Sequence, residues 1–382
     1  MTDLGTQSVR DAARAVLESH WRIEGYTVPN ARVYPYQWLW DSCFHAIVWA
    51  ELGEADRARA ELAHLFRTQN AEGFVPHMDY EFDPDAHADL WGRSQQSCIT
   101  QPPMFGHAIR ELSVRGIDVE DLLAPAALGL RFLLEVRPRV DGLVSLCHPW
   151  ESGADNCPRW DSWCPEPWGV DRWRARKDEL VTMIEFSPMG SPLANPGFVV
   201  GSCGFSALVA FNALELAEVS GDAGLRALAL DLCATLDTRW DPDLRTWIDT
   251  GDAAAGSGRI RVLDALLPVL VPGEERRRAA VLDDLLDATA FGGRCGPAGV
   301  HRDEPMFAPL EYWRGAAWPQ LTYLCMVAAQ RAGRSQTADA LALMLVEGAT
   351  RSGWAEYWSP DDGTACGAVP QSWAALAVLA SN

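Results

Sequence analysis

Apolar residues recur three and four positions apart along most of this chain, the spacing that lines one face of an α-helix. The pattern runs through 9–21, 56–69, 103–115, 122–136, 204–220, 222–240, 274–288, 316–332, 335–350 and 372–380, and it predicts a helix in each. Strict alternation is scarce, with short traces at 246–248 and 259–262. Between the helices lie loops rich in Trp, Pro, Gly and acidic residues, at 26–41, 73–101, 147–195, 291–312 and 353–370. No Gly/Ser linker, proline run or charge block divides the chain, and no short-period repeat marks a solenoid. The expected fold is all-α: an α/α toroid, walled by inner and outer helices, with the site built from loops at one end. Residues 1–382 read as a single domain.

Composition narrows the partners. Asp and Glu outnumber Lys and Arg by 52 to 32, a formal net charge of −20. Nucleic acid and anionic membranes both demand a basic face, so neither is expected. We read no apolar run of ~18 residues, the length that spans a bilayer. Segment 1–16 lacks the apolar stretch of a signal peptide. The ten cysteines are scattered without a C-x-x-C pair, which is neither a zinc pattern nor a compact disulfide framework. A reduced, cytoplasmic protein is expected, with homo-oligomerisation left open. Seventeen tryptophans exceed what a core of this size requires, and an aromatic-lined binding site explains them economically.

The densest cluster is H-P-W-E-S-G-A-D-N-C-P-R-W-D at 148–161. Sugar C–H faces stack on indole, and glycoside hydrolysis needs two carboxyl groups across the scissile bond, one of them a proton donor. Asp155 sits between Gly153 and Pro158, and Trp150 and Trp160 can supply the apolar wall that keeps an acid protonated. Its plainer role is to cap a turn. Glu356 lies in G-W-A-E-Y-W-S-P at 353–360, either as the second carboxylate or as a surface glutamate. Asp41 ends Y-P-Y-Q-W-L-W-D at 34–41, where it can grip hydroxyls, cap the apolar run 43–52, or both. E-Y-W-R-G-A-A-W-P at 311–319 offers indole faces and a cation, or the start of a core helix with a cation–π contact. No H-E-x-x-H, G-x-x-x-x-G-K-[ST] or G-x-S-x-G occurs, so neither a metal nor a nucleotide cofactor is expected.

Five segments then stand in one order: Y-P-Y-Q-W-L-W-D-S-C-F-H at 34–45, S-C-I-T-Q-P-P at 97–103, the 148–161 cluster, Y-W-R-G-A-A-W-P at 312–319 and A-E-Y-W-S-P-D-D-G at 355–363. Together they resemble glycoside hydrolase family 63, in the branch of bacterial mannosylglycerate and glucosylglycerate hydrolases. The resemblance implies an (α/α)6 barrel and an inverting mechanism. It places Asp155 on the general acid and Glu356 on the general base. It places Tyr36, Trp40, Asp41, Gln101, Glu151, Trp313 and Trp318 around the sugar. Trp150, Trp160, Tyr312, Arg314 and Tyr357 are further substrate-binding candidates from their surroundings.

Three stretches depart from the family pattern. G-S-C-G-F-S-A at 201–207 stands where D-P-x-x-N-A is usual, 162–196 matches poorly, and Ser359 replaces an Asp or Asn. The resemblance implies that these positions shape the leaving-group side. Arg172, Arg174, Arg176 and Lys177 form a basic patch there, either for an anionic aglycone such as glycerate or as a solvated helix face. The leading expectation is an inverting α-glycosidase acting on a small α-glucoside or α-mannoside. Two alternatives stay open at this point: the same fold recruited to isomerisation, dehydration or cyclisation, and a carbohydrate-binding pseudoenzyme.

Overall fold

The computed structural model describes residues 3–381; Met1, Thr2 and Asn382, the ends of the expected 1–382 unit, lie outside the described residues. Among the described residues, six helical segments pack side by side in a ring. They are Leu39–Glu51, Phe105–Val114, Cys203–Ser220, Leu263–Leu270, Pro319–Arg331 and Ser372–Ala380. Each packs on the next in that order, and the last returns to the first. Leu263–Leu270 and Ser372–Ala380 are wound tightly as 3₁₀ helices.

A helix that is apolar on most of its faces needs neighbours on most sides, and the ring supplies them. Cys203–Ser220 is the clearest case. It is long and apolar enough to cross a membrane, which qualifies the reading that no such stretch exists, yet it is largely buried within the protein. The Ser202 hydroxyl accepts from the Phe205 amide to cap its start, and Gly221 at φ 72° ends it.

A second helix covers each inner one. Asp3–His20 lies on Ser372–Ala380, Ala55–Leu65 on Leu39–Glu51, and Glu120–Arg131 on Phe105–Val114 and Cys203–Ser220. Ala223–Asp237 also lies on Cys203–Ser220, Glu275–Asp284 on Leu263–Leu270, and Ser335–Arg351 on Pro319–Arg331. The architecture is an (α/α)6 barrel.

Three elements differ from the sequence reading. Val170–Val181 is a helix inside the stretch read as loop 147–195. Leu263–Leu270 is an inner helix in a stretch given no helix. Leu39–Glu51 begins before Asp41, with Trp38 at its N-cap, so Asp41 is not the cap. Of the strand traces, Thr246–Trp247 pairs with Trp240–Asp241, while 259–262 forms no strand and makes one isolated bridge, Val262 to Val300. A four-stranded antiparallel sheet orders Thr250–Gly251, Val200–Gly201, Leu143–Leu146 and Arg139–Val140. Leu146 leads directly into the 148–161 loop, so this sheet anchors that loop to the ring.

Candidate active site

One end of the ring opens into a cavity of about 490 Å³. Trp40 and Asp41 reach it from the first turn of Leu39–Glu51, and Gln371 and Trp373 from the start of Ser372–Ala380. Gln101 and Trp313 reach it from the loops that lead into Phe105–Val114 and Pro319–Arg331. Gly204 and Asp264, at the starts of the other two inner helices, border a smaller void beneath it with Trp40, Gly153 and Trp313. All six inner helices thus aim their N-termini, the positive ends of their dipoles, at this end of the barrel.

Asp155 and Glu356 both line this cavity, on loops far apart in sequence. The Tyr312 hydroxyl donates to Asp155 Oδ2 at 3.2 Å, and burial pushes Asp155 up to about 6 against the nearby Lys177 charge. Glu356 is 3% exposed. It accepts from the Tyr34 hydroxyl at 3.0 Å and from the Ala368 amide at 2.9 Å, and burial pushes it up to about 7. Asp41 lies in the same field, raised well above the usual carboxylate range by burial first and by the Glu356 charge second. Gly367 makes room for the Glu356 carboxylate: its φ is 70°, and a Cβ there would stand 2.3 Å from Glu356 Oε2.

An aromatic stack backs the cavity. Trp40 lies over Trp313 at 6.5 Å, Trp313 stacks on Trp318 at 3.6 Å, and Trp318 lies on Tyr357 at 4.7 Å. Trp313 has φ 60°, a left-handed conformation uncommon for a bulky residue, and it is held between its ring neighbours. Asp41 Oδ1, Trp38 Nε1, Trp313 Nε1 and Gln371 Oε1 are buried without a hydrogen-bond partner in residues that line the cavity. Buried polar groups are normally satisfied, so these donors and acceptors await a hydroxyl-rich ligand or water.

Several expected contacts are corrected by this geometry. Glu151 does not face the cavity. It is fully buried and paired with Arg137 at 2.9 Å, and it accepts the Cys147 amide at 2.6 Å and the Thr100 amide at 3.1 Å. Trp160 is also fully buried. It donates to the Ala154 carbonyl at 3.0 Å and packs on Phe198, so it supports the acid loop from behind. Tyr36 turns away to meet Tyr80 edge-on at 4.8 Å, whereas Tyr34 and Trp38 turn in. Trp318 and Tyr357 form the second layer behind Trp313. Arg314 grips both Asp161 oxygens at 2.8 Å and the Asn156 carbonyl, tying the Tyr312 loop to the acid loop. Trp40, Asp41, Gln101, Trp150, Tyr312 and Trp313 do line the cavity.

The basic patch divides. Arg174 and Lys177 line the cavity, Arg172 donates to the Pro167 carbonyl, and Arg176 pairs with Glu179. Sequence reasoning missed Tyr34, Trp38, Asn156, Gln371 and Trp373. Tyr34 and Trp38 stood inside a quoted motif, and Gln371 and Trp373 flank the start of an expected helix. Among the described residues no cluster of His, Cys, Asp or Glu is arranged to hold a metal ion.

An (α/α)6 barrel with carboxylates and indoles gathered at its inner-helix N-termini defines the class, a glycoside hydrolase. Residues 34–374 match the mannosylglycerate hydrolase MGH1-like glycoside hydrolase domain, and the chain belongs to that family. It is 30% identical to the mannosylglycerate hydrolase of Thermus thermophilus, across 93% of this chain and 96% of the relative. It is 28% identical to the glucosylglycerate hydrolase of Mycolicibacterium hassiacum, across 91% and 92%. The crystal structure of the family 63 mannosylglycerate hydrolase from Thermus thermophilus with Tris and D-glycerate superposes with a TM-score of 0.85 at 26% identity, over 97% of this chain and 99% of that one. The neutral trehalase of Saccharomyces cerevisiae shares the fold, with a TM-score of 0.60 at 16% identity, over 94% of this chain and 73% of that one.

Proposed function

We propose that this glycoside hydrolase cleaves a small α-glucoside or α-mannoside of a carboxylate-bearing aglycone of the glycerate kind, with inversion. Asp155 protonates the leaving oxygen, and Glu356 takes a proton from the attacking water. The observation that carries this reading is a single cavity bordered by both carboxylates, with Arg174 on its wall making no hydrogen bond or ion pair to the described residues. Carboxyl groups raised by burial suit proton transfer near neutrality. Trp40 and Trp313 offer flat faces to a ring, and the unpartnered Asp41, Trp38 and Gln371 atoms match its hydroxyls. Arg174 and Lys177 suit an anionic leaving group, consistent with a relative solved with D-glycerate.

A panel of mannosylglycerate, glucosylglycerate and the two methyl α-glycosides tests the reading. The acidic substrates are expected to be cleaved with the higher kcat/KM. Asp155→Asn and Glu356→Gln should each lose about two to four orders of magnitude in turnover, with the thermal unfolding midpoint kept. Full activity in either variant removes that residue from the mechanism. Arg174→Ala should raise KM for the acidic substrates about tenfold, the worth of a charge-assisted contact, while Arg172→Ala leaves it unchanged. Equal effects of the two would return both arginines to the solvated surface.

A further inference from the structure

The helix Val170–Val181 turns one face toward the cavity, with Val170, Arg174 and Lys177 at helical spacing. The same helix grips the acid loop at three points. The Trp173 indole donates to the Asp155 carbonyl at 2.9 Å, the Lys177 ammonium donates to Asn156 Oδ1 at 2.9 Å, and His148 Nε2 donates to the Lys177 carbonyl at 3.0 Å. Lys177 is 7% exposed, with its ammonium 5.2 Å from the Trp150 ring and 5.7 Å from the Trp173 ring. A lysine this deep is uncommon unless it is paired. It has no carboxylate in salt-bridge contact among the described residues; its partner is the side chain next to Asp155.

Building on the functional reading above, we propose that Lys177 is a positioning residue for the proton donor: its ammonium, seated at the cavity wall on Asn156, fixes the 155–156 turn and couples the leaving-group side of the cavity to Asp155. The charged and titratable groups around this point come from every packed element. Arg174 and Asp178 share the Lys177 helix. Tyr312 and Arg314 reach the turn from the 311–318 loop, with Asp161 fixed by Arg314. Tyr34 and Glu356 lie across the cavity. Of these, Lys177 is the cation that holds Asp155 down against burial, and burial in turn holds the Lys177 ammonium below its usual range. A leaving-group carboxylate that meets the Lys177 charge relieves that pull. Asp155 is then protonated in a larger share of the substrate-bound molecules.

The test compares leaving groups. An α-glycosyl fluoride departs with little help from a proton donor, whereas an alkyl glycoside needs it. Lys177→Met and Lys177→Arg are compared with wild type on mannosylglycerate or glucosylglycerate and on the matching α-glycosyl fluoride. We expect Lys177→Met to lose at least about tenfold in kcat on the glycoside and less than about threefold on the fluoride, and to move the limb of the pH profile set by Asp155 to higher pH; general acid assistance is large enough to read on this scale. Lys177→Arg should restore much of kcat. Three outcomes overturn the proposal: equal losses on both substrates, a rise in KM with kcat kept, or no change in Lys177→Met. Failure of the functional reading shows separately, as a wild-type protein that releases neither glycerate nor fluoride, and takes this proposal with it.

Discussion

At the scale of single residues, the site depends on a few carboxyl groups whose surroundings assign them different work. Burial pushes Asp155 up to about 6 and Glu356 up to about 7, and the proposed chemistry needs the first protonated and the second ionised. kcat/KM should therefore form a narrow bell, greatest between these values. Below about 6 it falls as Glu356 is increasingly protonated, and above about 7 as Asp155 is increasingly ionised. A profile that stays flat from about pH 4, in the ordinary carboxyl range, to about pH 9, well above it, and so across both sides of the predicted bell, contradicts the assignment. Glu151 is a carboxylate of another kind. With Arg137 it forms a fully buried pair, and Glu151→Ala leaves that guanidinium unpaired. The expected cost is about 3–5 kcal/mol of unfolding free energy in denaturant titration. A loss below ~1 kcal/mol would mean that the pair does not hold the loop, since exposed pairs are worth that little. Gly367→Ala puts a methyl group against the Glu356 carboxylate at a left-handed backbone position, and should lower kcat more than thermal stability.

At the scale of elements, loops make the site and helices aim them. The 148–161 loop is held by Arg137 through Glu151, by Arg159 through Asp249 and Asp264, by Arg314 through Asp161, and by the Val170–Val181 helix. Arg314→Met should detach the Tyr312 loop from the acid loop and lower kcat by at least about tenfold while KM changes little, as expected when a transition-state contact is misplaced. A change confined to KM would make Arg314 a substrate contact instead.

Four of the six ring helices were legible because their apolar positions repeat at helical period, and Leu39–Glu51 showed only as the apolar run 43–52; Leu263–Leu270, short and apolar at nearly every position, was not. Val170–Val181 was not either, because Lys177 interrupts its buried apolar positions Trp173, Leu180 and Val181 and its remaining positions are dominated by charge. Asp41 sat next to an apolar run and looked like a cap. The helix starts two residues earlier, and that frees its carboxylate for the cavity. The resemblance brought Asp155 and Glu356 forward, and the structure sets them on one cavity. It could not separate Glu151 or Trp160 from the cavity wall, since burial of a loop residue depends on contacts such as Arg137 and Phe198 from elsewhere in the chain.

At the scale of the whole molecule, the six inner helices run one way. Their N-termini face the carboxylates. At the other end, Arg115 pairs with Glu51 and Glu111 while Arg331 pairs with Glu215, placing cations by the helix C-termini. The barrel thereby leaves a cavity open at the end where positive helix dipoles favour the carboxylate forms of Asp155 and Glu356. The central claim is that these groups act from opposite sides of one sugar, with water entering from the side of Glu356. Proton NMR of the anomeric region during cleavage of mannosylglycerate or glucosylglycerate tests it most directly. The account predicts that the first sugar released is the β-anomer, with the α-anomer growing only later by mutarotation. First release of the α-anomer would contradict it.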